Sequence, residues 1–87
     1  MKDLLQIEVE CHSGYKSDEY PVRFFWSNLR FEIEEIIDRW YQTISKSGFP
    51  AANYFKVRTT DKKIFILKQE TETGKWFLWI RGESIQL

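Results

Sequence analysis

Cys11 and His12 stand side by side in this chain, a thiol next to the imidazole that could turn it into a nucleophile. They end an alternating run in which Leu5, Ile7, Val9 and Cys11 are separated by Gln6, Glu8 and Glu10. Neighbouring side chains of a strand point to opposite faces, so Cys11 is expected to turn inward and His12 outward, which separates the pair. Cys11 is the only cysteine and His12 the only histidine, too few ligands for a thiolate or imidazole metal site and too few for an internal disulfide. Glu8 with Glu10, and Glu32 with Glu34, place two carboxylates on one strand face about 6.5 to 7 Å apart, close to the separation used by glycosidases. Any alternating strand with two glutamates does the same, and Arg23 and Arg30 could answer them as cross-strand partners. No Gly-x-x-x-x-Gly-Lys or Gly-x-Gly-x-x-Gly is present, and the four glycines fall in turns. The expectation is a protein that is not an enzyme and carries neither cofactor nor metal.

The remaining constellation is aromatic and basic. Tyr54, Lys56 and Arg58 share one face of their strand; Trp76, Leu78 and Ile80 share one face of the last strand, and Phe77, Trp79 and Arg81 the other. Rings for stacking beside bases for phosphates make a platform for single-stranded nucleic acid, where each stacked base contributes about 1 to 3 kcal/mol. Lys56, Arg58, Trp79 and Arg81 are therefore the candidate nucleic-acid-binding residues. The competing reading makes both aromatic rows core. A third class, a docking module, would offer a surface aromatic patch or a free strand edge to a protein partner. Nucleic-acid binding would weaken with salt and need Lys56, Arg58 and Arg81, whereas protein docking would rest on exposed rings such as Trp79 and tolerate salt.

Composition limits what can position these residues. A chain of 87 residues is expected to form one domain, 1–87, and a domain that small buries only about 60% of its unfolded surface, so it needs large side chains. Fifteen of the 87 are aromatic. Thirteen bases balance thirteen acids, but unevenly: residues 1–43 hold five bases against nine acids, and residues 44–87 eight against four. If the strands of each half lay together, the molecule would have two electrostatic faces. The apolar runs are too short to cross a membrane, and the N-terminus lacks the apolar core and cleavage site of a secretory signal. With a single cysteine, a cytoplasmic location is expected; the oligomeric state is left open.

The alternation over 5–11 predicts a first strand, and residues 13–21 read as a loop. Val22, Phe24 and Trp26 mark a second strand, followed by a tight turn at Ser27-Asn28 and a third strand from Leu29. Residues 33–44 carry two signals. Ile33, Ile36, Ile37, Trp40, Tyr41 and Ile44 follow helical spacing, yet β-branched residues and a bulge near Glu34-Glu35 would serve a bent strand equally. Ser45–Asn53 is a loop by composition. Three hairpin-linked strands follow, at 54–60, 63–70 and 75–81, with Asp61-Lys62 and Thr71–Gly74 as turns. The fold class is all-β, a small antiparallel barrel or rolled sheet of five or six strands; the alternative is α+β, the same sheet with one helix at about 33–44.

Read together, Pro21-Val-Arg-Phe24-Phe-Trp26, Phe31-Glu-Ile33, Ile36-Ile37-Asp38-Arg39-Trp40, Tyr54-Phe55-Lys-Val57, Phe65-Ile-Leu67 and Gly74-Lys-Trp76-Phe-Leu78 form a recognisable pattern over residues 21–78. It resembles a family of small, uncharacterised bacterial domains, some of which occur beside or fused to Y-family-like DNA repair polymerases. The resemblance implies a domain type and a DNA-repair setting, with nucleic acid or a repair protein as partner, and it carries no catalytic residues. The Ser27-Asn28 turn departs from the basic, glycine-containing turn usual there, and the 42–53 loop lacks the tryptophans that other members carry.

Overall fold

The structure, a computed structural model, describes residues 4–12, 20–43, 48 and 50–79. Six strands follow in chain order: β1 (Leu4–His12), β2 (Tyr20–Trp26), β3 (Leu29–Gln42), β4 (Ala52–Thr59), β5 (Ile64–Glu70) and β6 (Trp76–Trp79). Each pairs antiparallel with the next, and β6 returns to β1, so the sheet closes into a barrel. This is the all-β reading. The stretch that carried both signals is strand as far as Gln42.

Two strands change partners at the barrel's corners. β1 pairs through Leu4–Ile7 with β6 and through Glu8–His12 with β2. β3 pairs through Leu29–Glu32 with β2 and from Ile33 onward with β4. Strands that bend from one sheet into another make the corners of orthogonally packed barrels, and extra residues commonly assist the bend. β3 has two of them. Ile33 faces Thr59 while Glu35 faces Arg58, and Ile36 faces Val57 while Asp38 faces Lys56, so Glu34 and Ile37 are each inserted against β4. The first lies at the Glu34-Glu35 step expected from the sequence. The second has no signature of its own.

Hairpin chemistry sets the register. Ser27 and Asn28 both adopt positive φ, 57° and 63°, in the two-residue turn whose twist suits adjoining strands. At the β4–β5 turn Lys62 takes φ 70°, and buried Thr59 receives the Lys63 N–H on its hydroxyl oxygen while its O–H donates to Asp61. Gly74, at φ 77°, donates its N–H to the Glu70 carbonyl at 2.8 Å and closes the longer β5–β6 loop as expected. The 45–53 loop ends earlier than composition suggests, because Ala52 and Asn53 already pair with Glu70 and Gln69 respectively.

The interior is filled by one residue type in particular. Phe24 stacks on Phe31 at 4.9 Å between centroids, and Phe65 meets both edge-on at 5.2 and 5.4 Å. Leu67, Leu78 and Val57 extend this core with no exposed surface, joined by Ile7, Phe55 and Trp76. Offset and edge-to-face rings suit the aromatic quadrupole, and each ring removes a large area from water. No helix among the described residues is long and apolar enough to cross a membrane.

Candidate nucleic-acid interface

The strands that fill the barrel also carry a second aromatic row on its outside. On β4, Phe55 and Val57 are buried in the core, so the alternating Tyr54, Lys56 and Arg58 stand on the outer face. The same parity sends Trp76 and Leu78 inward and Phe77 and Trp79 outward on β6. Register then brings these outer residues together. Trp40 faces Tyr54 across β3–β4, and the two rings lie parallel, 5.3 Å apart with 2° between their planes. Trp79 meets the other side of this group, 5.9 Å from the Tyr54 ring and tilted by 58°. Trp40, Tyr54 and Trp79 thus form an aromatic ladder drawn from β3, β4 and β6, passing over β5 between the last two. Trp40 is 38% exposed, whereas Tyr54 and Trp79 are half-buried. Partial burial raises the Tyr54 phenol above its ordinary pKa.

The bases stand beside the ladder under different constraints. Lys56 is exposed, one strand step from Tyr54 and across from Asp38. Lys68, opposite Tyr54 on β5, is buried with its ammonium 6.0 Å from the Tyr54 ring centroid, the outer limit of a cation–π contact. Arg58 is held between two carboxylates: its Nε donates to Glu34 at 2.8 Å and its terminal nitrogen donates to Glu35. Lys62, from the β4–β5 turn, reaches the same Glu34 at 3.0 Å. Hydrogen bonds from Arg58 and then Lys62 hold the Glu34 carboxyl below its ordinary pKa, and Glu34 with Glu35 favours the charged guanidinium in return.

The strands of the acidic half, β1–β3, lie together, as do those of the basic half, β4–β6. The halves meet where β3 pairs with β4, which sets Glu34 and Glu35 against Arg58 and Lys62 as ion pairs and places Asp38 opposite Lys56. Charges of opposite sign thus form a seam on the barrel wall at that border.

The candidate residues separate accordingly. Lys56 and Trp79 share the outer face with the ladder, Arg58 shares it but is held by the β3 carboxylates, and Arg81 lies outside the described residues. Trp40 belongs to the site although sequence reasoning assigned it to the ambiguous stripe; its pairing with Tyr54 follows both inserted residues of β3. Cys11 packs at the edge of the core, while His12 is exposed with its ring centroid 5.2 Å from that of Tyr20. The glutamates behave as a solvated ion-pair face: Arg23 bridges Glu10 and Glu32, and Arg30 reaches Glu32 at 2.8 Å. Among the described residues no group of histidine, cysteine or carboxylate side chains is arranged to hold a metal ion.

Barrel closure also bears on docking at a strand edge. Where β3 leaves β2, a cleft of about 360 Å³ opens beside Pro21, Val22, Ile33 and Ile36. The Asp38 carboxylate accepts the Arg39 N–H at 2.8 Å there, and two bulges interrupt the strand, features that blunt an edge against added strands. Comparison with protein-family models, with curated proteins and with solved structures yields no match for this chain.

Proposed function

We propose that this domain is a non-catalytic binding module that takes single-stranded nucleic acid on the Trp40–Tyr54–Trp79 ladder, in the DNA-repair setting implied by the family resemblance. One observation carries the reading: the barrel already has a complete aromatic core, yet a second set of rings stacks across its outer wall with Lys56 alongside. Unpaired bases would stack on the exposed indole of Trp40 and continue along the ladder, while Lys56 draws the phosphates. Arg81 enters this reading from the sequence alone.

Tryptophan fluorescence gives the test. Short single-stranded DNA or RNA is expected to quench emission and saturate, and Trp40→Ala is expected to weaken binding about five- to 150-fold, the loss of one stacked base. Unchanged emission up to millimolar oligonucleotide would overturn the proposal. A second reading rests on Leu4 and Ile64, 40% and 42% exposed beside the ladder, with half-buried Ile66 between Lys56 and Trp79. Such an apolar margin suits a protein partner, and binding on it would withstand salt.

A further inference from the structure

The ladder and the bases beside it make unequal offers to a nucleic acid. Stacking requires bases free of a partner, so a ladder of rings serves single strands and gives a duplex almost nothing. Phosphate attraction serves both, and it is the main source of sequence-independent duplex affinity. The balance between rings and available cations therefore decides which form is bound.

On this barrel the cations nearest the hairpin end are already occupied. Arg58 presents a planar fork that would suit a phosphate, but Glu34 takes its Nε and Glu35 its terminal nitrogen. Lys62 gives its ammonium to both oxygens of Glu34, at 3.0 and 3.1 Å. The arrangement is fixed by backbone register, because the residue inserted at Glu34 places two successive carboxylates against Arg58. Arg58 and Glu34 are 37% and 25% exposed in their side chains, so this is a surface network open to ligands.

Resting on the proposed nucleic-acid reading, we infer that Glu34 and Glu35 determine the ligand class: by occupying Arg58 and Lys62 where phosphates would lie, they suppress duplex binding and leave a site selective for unpaired bases. The carboxylates act as a built-in substitute for the phosphate backbone. A duplex must displace them with no stacking in return, whereas a single strand is held by the rings and needs only Lys56.

The experiment compares wild type, Glu34→Gln/Glu35→Gln, and that double variant with Arg58→Ala added. Each is titrated with a ten-residue oligothymidine and with a ten-base-pair duplex, from about 50 to 200 mM salt. Wild type is expected to bind the single strand with a logarithmic salt slope of about 0.7, one phosphate neutralised, and the duplex weakly. The double variant is expected to gain about tenfold or more in duplex affinity at low salt, with a slope steeper by about 0.9 for each freed cation, so the preference for single strands shrinks. Adding Arg58→Ala should reverse most of that gain. In wild type, Arg58→Ala alone should change single-strand affinity less than twofold, which tests the inference should the glutamine variant fold poorly. Single-strand binding with duplex affinity and slope unchanged in a folded double variant would overturn the inference and leave the proposed function standing. No binding by any variant to either probe would overturn both.

Discussion

The barrel wall has aromatic rings on both sides, and the two sets play different parts. Inside, Phe24, Phe31 and Phe65 meet in stacked and edge-on contacts, and Phe24 has no exposed surface. Outside, Trp40, Tyr54 and Trp79 contact one another at similar distances while keeping surface in water. Ring geometry barely distinguishes them; what differs is the neighbourhood. The inner rings share one buried cluster with Ile7, Val57, Leu67 and Leu78, whereas the outer rings border Lys56 and a seam of ion pairs. Similar aromatic contacts therefore serve stability on one face of the wall and leave a binding surface on the other.

The sharpest way to break this comparison is to delete one ring from each set. Phe24→Ala is expected to cost about 3 to 5 kcal/mol of unfolding free energy by urea denaturation, through lost burial and the cavity left behind. Trp40→Ala is expected to cost less than about 1.5 kcal/mol, because one side of its ring is already in water. Equal costs would mean that the ladder is a second core. The next effect concerns the turn that aligns β2 with β3: Asn28→Val, forcing a β-branched residue to φ 63°, should cost about 1 to 2 kcal/mol in the same assay, and Asn28→Gly should be neutral or stabilising. A melting series that ranks the valine variant with wild type would remove the turn's claim to set the register.

The smallest effect lies in the seam. The Glu34 carboxyl has a folded-state pKa below its ordinary value of 4.5, held there first by Arg58 and then by Lys62. A lowered carboxyl pKa stabilises the folded state fully above the ordinary value and loses that contribution as pH falls through the lowered one. Melting temperature should therefore decline below about pH 4.5, and Glu34→Gln should make the decline shallower. Asp61, lowered mainly by the hydrogen bond from the Thr59 hydroxyl, contributes in the same direction and remains in that variant. Parallel acid profiles for wild type and Glu34→Gln would show that the seam adds nothing to stability.

How far the molecule could be read from its sequence depended on the strand. Alternation over Leu5–Cys11 and the turns at Ser27-Asn28 and Gly74 identified elements whose period is two and whose corners have their own chemistry. The parity of β4 and β6 grouped Lys56 with Tyr54 and Arg58, and Trp79 with Phe77 and Arg81, though it could not show which row lay inside, since both rows of β6 are aromatic. β3 resisted for a physical reason. With Glu34 and Ile37 inserted, the residues set against β4's inward positions, Ile33, Ile36 and Arg39, fall three apart, opposite Thr59, Val57 and Phe55. That spacing imitates a helix, and it hid both the stacking of Trp40 on Tyr54 and the docking of Arg58 between Glu34 and Glu35. Ion pairing across the seam was likewise illegible, because it joins residues more than twenty positions apart.

The inserted residues have one more consequence. Between Ile33 and Gln42 the third strand uses ten residues to run the length that its neighbour covers in eight, from Ala52 to Thr59. Counting along the chain is thus an unreliable ruler on this flank of the molecule. A shortened sequence lacking Glu34 or Ile37 would lose only the unpaired residue of a bulge, so every hairpin and the Trp40–Tyr54 pairing would stay in place while the strand straightens, and the corner rather than the ladder would bear the change.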